Sequence, residues 1–464
     1  MAKYLIETFG CQMNEHDSER MAGLLEQAGY ERTDDDRDAD VIVINTCSVR
    51  EKAEEKLYTR LGEIRVMNEE TGTRPVVAVA GCVAQQEGES LLSGTNGGVI
   101  DVLVGTQALK KLPILVSEVR GQRSEGRSQR AEDGRPSLVA PRSSHQIDLN
   151  PYEDVSFPLG IARRQEPHKA YVTIIEGCNE FCAFCVVPYT RGHERMRPAA
   201  DILADVRRAA DTGAREVQLL GQIVNHYQAP DDPLCDFAEL LARVNDVEGL
   251  ERVRFASPHP RHVTARMIEA MRSLPKVCRH LHLPVQSGST RVLLSMRRRY
   301  SREQYLDLVA RLRDAMPDLA LSTDMIVGFP GETDEDFDET LSLTAAVRYH
   351  SMFSFKYSPR PNTLALKRMP EDVSEVEKTR RIVALQSLQK EIQGALFAGM
   401  VGRVERVLVD ARSRRREWEL SGRTGGNTVV NLPGDAALVG RTLDVRITGA
   451  NPNSLRGEAL CKSR

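Results

Sequence analysis

Three cysteines lie close together in the run Gly-Cys-Asn-Glu-Phe-Cys-Ala-Phe-Cys, where Cys178, Cys182 and Cys185 have CxxxCxxC spacing. Thiolates at this spacing can bind three irons of a cubane iron–sulfur cluster, which normally takes four cysteine ligands. No fourth cysteine lies nearby in the sequence, so one iron is left without a protein ligand. An iron with an open position can bind a small molecule. The spacing therefore predicts a [4Fe–4S] cluster that acts as a reagent as well as an electron store.

A structural zinc site is the alternative interpretation of these three cysteines. Zinc sites of that kind usually combine a CxxC pair with a matching distant pair. The chain has no second CxxC pair to match Cys182 and Cys185. The sequence therefore favours the iron–sulfur cluster over zinc.

A second set of cysteines, Cys11, Cys47 and Cys82, shares a common sequence context. Each follows an apolar run of strand length and precedes a helical pattern. In an open α/β sheet, the loops beyond the carboxyl ends of parallel strands lie along one edge. We therefore expect the three thiols to converge there and to hold a second cluster with an open iron. The alternative is three buried structural thiols, since free cysteine is often buried.

The elements around the second set predict an α/β domain over residues 1–118. Asn14 is predicted to cap a helix that ends at Gly29, and Ser48 to cap a second helix. Strand–helix alternation indicates a parallel sheet with helices on both faces. The uncharged, β-branched segments predicted as strands lie near residues 3–8, 41–45, 76–80 and 99–104.

Two further segments complete the α/β part of the chain. Residues 119–167 are predicted as a polar linker or insertion, because the arginine-rich stretch over 119–150 has no hydrophobic periodicity. The linker arginines either contact RNA or are simply solvated. Residues 168–395 return to strand–helix alternation, and a strand near 170–175 leads into the CxxxCxxC loop. Six such units predict a partial (β/α)6 barrel, because a full eight-unit barrel needs more chain.

The last segment, residues 396–464, changes structural class. Its strands alternate apolar and polar residues between Gly, Pro and Asn, which predicts a small antiparallel β-barrel of the OB-like size that binds nucleic acid. Trp418 is predicted to pack in the core of this barrel, with stacking on a base as the alternative. The candidate phosphate contacts of the barrel are Arg412, Arg414, Arg415 and Arg416.

Bulk composition narrows the class of protein further. The formal net charge is −3 over 464 residues, so any basic surface for nucleic acid is local. The odd count of nine cysteines argues against a disulfide framework and favours a reducing compartment. No apolar stretch reaches the ~20 residues needed to span a bilayer, and the first residues lack the apolar core of a signal peptide. We expect a cytoplasmic monomer without a membrane partner.

These features together resemble the methylthiotransferases of the radical S-adenosylmethionine (SAM) superfamily, over nearly the whole chain. The Val-Val-Pro-Tyr-Thr-Arg-Gly run after Cys185 is similar to the MiaB branch of that family. Other runs agree with this branch, namely Ser257-Pro-His-Pro, Leu281-His-Leu-Pro-Val-Gln-Ser-Gly-Ser, Asp324-Met-Ile-Val-Gly-Phe-Pro-Gly-Glu-Thr, Tyr357-Ser-Pro-Arg-Pro and Gly422-Arg-Thr.

The resemblance implies a reaction that uses two [4Fe–4S] clusters and two SAM molecules. The Cys178/Cys182/Cys185 cluster binds SAM and splits it into methionine and an adenosyl radical. The Cys11/Cys47/Cys82 cluster holds the sulfur to be transferred, and no catalytic residue beyond the cluster ligands is implied. The substrate is isopentenylated adenosine beside the anticodon of tRNA, a single-stranded base that a protein can reach. A reductant protein supplies electrons.

The resemblance also implies SAM contacts in the second α/β domain. The departures from the family pattern are Ile223, His226 and Asn362, and none of them is a cluster ligand. His259 and His282 have no partners at ligand spacing, so we interpret them as structural. The residues implied in SAM binding are Phe184, Gln222, Asn225, Gly328 and Gly331. Plain packing is the alternative for Phe184, and a plain strand–helix turn is the alternative for the two glycines.

Three questions remain open from the sequence. Another methylthiotransferase branch modifies threonylcarbamoyladenosine in tRNA, and a further branch modifies an aspartate of a ribosomal protein. A non-catalytic iron–sulfur electron carrier with an RNA-binding tail is a rival of another class, although a carrier would use four cysteines per cluster. The run Arg297–Arg299 is either a phosphate contact or, as for most charge runs, a solvated face.

Overall fold

The computed structural model of the chain describes residues 1–48, 51–93, 97–133, 145–150, 160–413, 416 and 418–460. None of the helices in this described part is both long and apolar enough to cross a membrane. The chain divides into two compact units. The first unit comprises Met1–Gln165, Gly177–Asn179 and Val186–Glu194. The second comprises Glu166–Glu176, Glu180–Cys185 and Arg195–Arg464.

The first unit is built on one open sheet in which every strand pair is parallel, in the order β2-β1-β3-β4-β5-β6. The strands are β1 (Lys3–Phe9), β2 (Glu31–Arg32), β3 (Val41–Thr46), β4 (Val76–Ala80), β5 (Val102–Val104) and β6 (Gln146–Asp148). The helices are α1 (Gln12–Gln27), α2 (Glu51–Thr71), α3 (Cys82–Glu87), α4 (Leu112–Asp133) and α5 (Val187–Thr190).

Helices cover both faces of this sheet, as β3 shows most directly. Val41 and Val43 pack in one core, with residues of α1 and α4. Ile42 and Ile44 point the other way and pack in a second core, with residues of α2 and α3. Because successive side chains of a strand face opposite sides, a strand that is apolar throughout requires cover on both faces. The predicted parallel sheet with helices on both faces is confirmed.

Two predictions for the first unit were wrong. Asn14 does not cap α1, because the helix begins at Gln12 with Cys11 in the cap position, and the Asn14 side chain is buried. The segment from residue 119 is not irregular at its start, because α4 continues to Asp133 and β6 adds a sixth strand beside β5. Residues 134–144 and 151–159 of the predicted linker lie outside the described residues, and so do residues 49 and 50 beside the predicted cap at Ser48.

The second unit contains six parallel strands in two three-stranded sheets, β11-β10-β7 and β12-β13-β14. A parallel bridge between Val253 and Val277 lies where the two sheets meet, as in a partial barrel. The strands are β7 (Lys169–Thr173), β8 (Ile175–Glu176), β9 (Arg195–Met196), β10 (Glu216–Leu220), β11 (Arg252–Phe255), β12 (His280–His282), β13 (Ala320–Val327) and β14 (Ser351–Lys356). The β8 and β9 strands form a separate antiparallel pair.

Helices accompany these strands in the second unit. They are α6 (Ala199–Asp211), α7 (Phe237–Asn245), α8 (Ala265–Ser273), α9 (Thr290–Ser295), α10 (Arg302–Ala315), α11 (Asp334–Val347), α12 (Leu364–Arg368) and α13 (Glu375–Ala398). Short 3₁₀ helices of the two units are Asp36–Asp38, Gly88–Leu92, Leu109–Lys111, Val224–His226, Pro260–His262 and Ala436–Leu438.

The end of the chain forms a closed five-stranded barrel, as predicted. Its strand order is β15-β16-β17-β19-β18, and only the β17–β19 pair is parallel. Phe397, near the end of α13, packs in the core of this barrel together with inward residues of its strands. The strands are β15 (Val404–Arg412), β16 (Glu419–Arg423), β17 (Val429–Pro433), β18 (Thr442–Asn451) and β19 (Ser454–Ala459).

Two buried arginines attach the barrel to the partial barrel. Arg252 donates to the Arg423 carbonyl at 2.7 Å, and Arg254 donates to the Thr424 carbonyl at 2.7 Å and to Glu216 Oε2 at 2.9 Å. Burial alone would raise the pKa of Glu216, but the neighbouring Arg254 lowers it below its usual value. Glu216 and Arg252 are the first residues of β10 and β11, so the small barrel packs at the amino ends of these strands. The carboxyl ends, from which ligand-binding loops depart in such folds, lie at the opposite end of the strands.

Candidate functional site

The second set of cysteines occupies equivalent positions after three neighbouring strands of the first unit. Cys11 follows β1 and is the N-terminal cap residue of α1. Cys47 follows β3, and its N–H donates to the Phe9 carbonyl at 2.9 Å. Cys82 is the first residue of α3, after β4. Because β1, β3 and β4 are adjacent and parallel, their carboxyl ends place all three cysteines at one edge of the sheet.

Glycines in front of two of these cysteines allow the strand ends to approach closely. A Cβ atom at Gly10 would lie 2.6 Å from the Cβ of Cys47. A Cβ atom at Gly81 would lie 2.3 Å from Asn45 Oδ1, and Gly81 also has a φ of +90°, which L side chains rarely adopt. The Gly-Cys sequence at both positions is therefore a packing requirement of this edge.

The charge environment of these thiols is uneven. A hydrogen bond with Cys47, together with the nearby Arg191, outweighs burial and lowers the pKa of Cys11 to about 6. Burial raises the pKa of Cys82, and Arg191 opposes that effect. A thiolate is the form that binds a metal. The site therefore favours metal-binding thiolates most strongly at Cys11.

Arg191 is a functional candidate that the sequence did not reveal as such. It belongs to the Val-Val-Pro-Tyr-Thr-Arg-Gly run, and in the first unit its guanidinium donates to Asp17 Oδ2 at 2.7 Å, with both side chains buried. Its carbonyl accepts from the side chain of Gln107 at 2.9 Å. Arg191 thus holds a positive charge beside Cys11 and Cys82. The sequence motif could not indicate this role, because a motif gives the order of residues and not their contacts in the fold.

Polar atoms of this edge bear on the predicted cluster. Among the described residues, no three Cys, His, Asp or Glu side chains are grouped so that they can hold a metal ion. In a cubane each thiolate binds a different iron. The hydroxyls of Thr46 and Ser48, on either side of Cys47, are buried without a hydrogen-bond partner among the described residues. Such orphaned donors suit the acceptor sulfurs of a cluster.

The CxxxCxxC run has members in both compact units. Cys178 is buried in the first unit, where its N–H donates to the Gly192 carbonyl at 3.1 Å. Cys182 and Cys185 belong to the second unit, where the N–H of Cys185 donates to the carbonyl of Cys182 at 3.0 Å in a tight turn. Phe184 lies in that turn and packs against a core cluster of Ala183, Val292, Met296, Phe329, Tyr357 and Ala365.

Buried polar groups of the second unit surround this turn. Glu180 accepts from His262 Nε2 at 2.8 Å, and this bond helps to lower the pKa of Glu180. Gln222 Oε1 and His259 Nε2 are both buried, and neither has a hydrogen-bond partner among the described residues. Unpartnered buried polar atoms are costly unless a ligand or water satisfies them. The orphaned oxygen of Gln222 therefore fits the predicted contact with SAM.

The other predicted SAM residues are engaged within the chain. Asn225 accepts from the His259 N–H at 2.8 Å and donates to the His259 carbonyl at 3.0 Å, so it fixes the Ser257-Pro-His-Pro loop. The Gly328 N–H donates to Glu332 at 2.5 Å, and the Gly331 N–H donates to Asp372 at 2.8 Å. Because both N–H groups are occupied, this loop fits the alternative of a plain strand–helix turn.

The histidines and the departures from the family pattern have structural explanations. Burial, together with nearby Arg298, lowers the pKa of His259, which is therefore neutral, and its Nδ1 accepts from the Arg261 N–H at 3.2 Å. His282 lies 2.9 Å from the Ser322 hydroxyl. Ile223 is buried, and His226 stacks on His262 with ring centroids 4.3 Å apart. Asn362, which replaces the usual glycine, has a φ of +66°, a conformation that Asn tolerates better than most residues.

The first arginine run differs from its prediction, and the second is only partly described by the structure. Arg297 and Arg299 are exposed, but Arg298 between them is buried, so the first run is not a single solvated face. In the small barrel, Arg412 and Arg416 are exposed, whereas Arg414 and Arg415 lie outside the described residues.

The prediction that Trp418 packs in the barrel core was wrong. Its side chain is 59% exposed, and the guanidinium of Arg416 lies over its ring at 5.5 Å. Sequence alone favours the core because a lone tryptophan is usually mostly buried. The exposed ring is instead a candidate stacking surface for a nucleic-acid base.

Three family models match the chain in sequence. The first, described as Uncharacterized protein family UPF0004, matches residues 3–105. The second, the Radical SAM superfamily, matches residues 172–344. The third, the TRAM domain, matches residues 399–460. These matches cover the open sheet, the partial barrel and the small closed barrel in turn.

Curated relatives match over almost the whole length. A tRNA-2-methylthio-N(6)-dimethylallyladenosine synthase from Burkholderia ambifaria is 44% identical, and the match covers 99% of this chain and 98% of the relative. A protein of the same name from Burkholderia vietnamiensis is 43% identical with the same coverage. Among solved structures, the radical S-adenosylmethionine methyltransferase TsrM from Kitasatospora setae matches with a TM-score of 0.55, at 15% identity over 79% of this chain and 77% of that one. This last match supports the fold alone.

Gly10→Ala tests the close packing of the cysteine edge. The added methyl group would collide with Cys47, so we expect the variant to retain less iron at Cys11, Cys47 and Cys82. Iron per chain is measured after anaerobic reconstitution, in a background where Cys178, Cys182 and Cys185 are alanine. Gly62→Ala is the matched control, because a Cβ at Gly62 meets nothing within 4 Å. Equal iron in the two variants would show that the edge is not so tightly constrained.

Proposed function

The chain belongs to the family of tRNA-2-methylthio-N(6)-dimethylallyladenosine synthases, and we propose that it methylthiolates C2 of N6-isopentenyladenosine beside the anticodon of tRNA. The observation that carries the proposal is the sequence identity of 44%, over 99% of the chain, to a relative with that name. An enzyme that shared only the radical SAM segment would share a cofactor and not a substrate. Here the open sheet, the partial barrel and the small barrel all match.

We propose that the cofactors are two [4Fe–4S] clusters and SAM. When bound, the cluster at Cys178, Cys182 and Cys185 together with SAM supplies the radical that activates the C2–H bond, and the cluster at Cys11, Cys47 and Cys82 supplies the sulfur. The task of the protein is to bind these groups, to orient the adenine and to exclude water.

Particular side chains of the chain serve these tasks in our proposal. Gln222 Oε1, which is buried and has no hydrogen-bond partner in the described part of the chain, accepts a hydrogen bond from SAM. Asn225 positions the loop that carries His259, and Phe184 contributes an apolar wall beside Cys185. In the first unit, Arg191 balances the negative charge of the thiolates of Cys11 and Cys82. Each of these side chains is buried or half-buried, which fits a site from which water is excluded.

We infer that the small barrel holds the tRNA. Arg412 and Arg416 offer exposed guanidinium groups for phosphates, and Trp418 offers an exposed ring for stacking on a base. The remaining inferences are that a separate reductant protein supplies electrons, that the enzyme is a monomer, and that it works in the cytoplasm, where thiols stay reduced. The other methylthiotransferase branches and the electron carrier are not favoured, because the full-length relatives are named for the isopentenyl branch.

The proposed substrate is tested with a matched pair of tRNAs. Both have the same sequence, and only one carries the isopentenyl group on the adenosine beside the anticodon. We expect the reconstituted enzyme, with SAM and a reductant, to form the methylthio product only on the isopentenylated tRNA, because the family acts on the modified base. Nucleoside mass spectrometry measures the product. Equal modification of both tRNAs, or of a ribosomal protein with no change in tRNA, would contradict the assignment.

The proposed role of the barrel is tested with two kinds of substitution. Trp418→Ala is expected to weaken tRNA binding by about 1–3 kcal/mol without changing the salt dependence, since stacking releases no counterions. Arg412→Gln with Arg416→Gln is expected to make the log–log salt dependence shallower by roughly one unit per lost phosphate contact.

Arg311→Gln is the control for both, because Arg311 is a comparably exposed arginine on α10. Binding is measured by fluorescence anisotropy between low and high salt. If all variants bind tRNA as the parent does, the barrel does not hold the tRNA through these residues.

A further inference from the structure

Arg298 is the middle residue of the Arg297–Arg299 run, and it differs from its neighbours. Its side chain is buried, with the whole residue only 5% exposed, whereas Arg297 and Arg299 are exposed. Both neighbours have a positive φ, of +60° and +59°. A left-handed backbone conformation is uncommon for residues with large side chains. Two such residues on either side of a third therefore require an explanation. Here they turn the chain so that only the middle arginine faces inward.

One hydrogen-bond partner of the buried Arg298 guanidinium is a sulfur atom. The guanidinium donates through Nη1 to Cys182 Sγ at 3.4 Å, through Nη2 to the Pro284 carbonyl at 2.8 Å and through Nε to the Tyr300 hydroxyl at 3.0 Å. Among the residues that the structure describes, no carboxylate lies within ion-pair distance of it. Other buried arginines of the second unit are different, since Arg254 has Glu216 and Arg381 has Glu332.

A buried cation without a carboxylate partner requires another source of negative charge. Cys182 belongs to the CxxxCxxC run, and an iron–sulfur cluster bound there through three thiolates would carry a net negative charge that grows on reduction. Hydrogen bonds to the sulfurs and nearby charge are among the factors that set the reduction potential of such a cluster. A cation and an N–H donor at Cys182 Sγ both stabilise the reduced form.

We propose that Arg298 is a positioning residue for the CxxxCxxC cluster, which it holds through Cys182 and whose reduction potential it raises. This inference rests on the proposed function only in that a cluster binds at Cys178, Cys182 and Cys185. It is independent of the tRNA substrate. Tyr300 supports the arrangement, because its hydroxyl accepts from Arg298 and donates to the Val285 carbonyl at 2.9 Å.

The test uses protein in which Cys11, Cys47 and Cys82 are alanine, so that a single cluster is observed, and it needs no tRNA. Arg298→Met removes the charge and the donors, whereas Arg298→Gln removes the charge and keeps N–H donors. The midpoint reduction potential is measured by a potentiometric titration that is monitored by electron paramagnetic resonance. We expect a more negative midpoint potential in both variants, with the larger shift for Arg298→Met. The matched control is Arg297→Met, the neighbouring exposed arginine on the other side, which should leave the midpoint potential unchanged.

Reductive SAM cleavage separates an electronic role from a structural one. With a weak reductant, cleavage by the Arg298 variants should slow markedly, and a stronger reductant should restore it, because only the driving force has changed. A purely structural lesion would slow cleavage equally with both reductants. Midpoints equal to that of the parent in both variants, or equal slowing with both reductants, would overturn the proposal.

The iron-free proteins provide the remaining control. Because Arg298 leaves no carboxylate unpaired when it is removed, the apo form of Arg298→Met should stay folded, and its melting temperature should fall only by the effect of the lost hydrogen bonds to Pro284 and Tyr300. If Arg298→Met is folded in this way yet fails to take up iron, the loss supports the proposal, because the changed side chain is the one that donates to Cys182. If its apo form instead melts well below the parent, Arg298 is a structural residue and the proposal fails. A parent that takes up no iron would contradict the proposed cluster itself, which is a separate result.

Discussion

Parallel strands of one sheet end at a common edge, and the chemistry assigned to the first unit depends on this constraint. Cys11, Cys47 and Cys82 are far apart in sequence, yet each follows one of three adjacent strands. The loops at this edge must also approach one another closely. Gly10 and Gly81 allow this because they have no Cβ atom, which would collide with the neighbouring loop. The helices on both faces hold the strands in register through two apolar cores. A cofactor bound at this edge is therefore positioned by the whole domain.

Buried positive charge is the second feature that links fold to chemistry. Arg191 lies beside the first cysteine set and Arg298 contacts Cys182 of the other. Removing one partner of a buried ion pair costs about 3–5 kcal/mol, because the other charge is left uncompensated. Arg191 has Asp17 as a partner, so part of its charge is balanced by the protein itself. Arg298 has no such carboxylate among the described residues, and this difference is why we assign it to the cluster.

The sequence predicted the fold where local patterns decide the structure. Apolar strands that alternate with helices gave the open sheet, and alternating strands near the end gave the small barrel. Where long-range contacts decide, prediction failed. Asn14 looked like a helix cap, but its side chain donates to Asn45 Oδ1 at 3.0 Å, and no local rule contains that contact. Arg298 looked like its two neighbours, because a run of identical residues carries no pattern that marks one of them as buried.

Trp418 illustrates the same limit for a functional residue. A single tryptophan in a small barrel is expected inside, yet the ring is exposed beside Arg416. The core is filled instead by aliphatic strand residues and by Phe397, which comes from α13 outside the barrel. The sequence of the barrel alone does not reveal that contribution. The six cysteines could be proposed as cluster ligands from the sequence because spacing and position after a strand are local properties, whereas the charges around them are not.

The central claim is that the two cysteine sets hold separate clusters with separate tasks, and iron content with SAM cleavage tests it most directly. Reconstituted protein should carry about eight irons as two [4Fe–4S] units. Alanine at Cys178, Cys182 and Cys185 should halve the iron and abolish SAM cleavage. Alanine at Cys11, Cys47 and Cys82 should also halve the iron, yet SAM cleavage should remain while the methylthio product is lost. Full iron content in the second variant would contradict the claim.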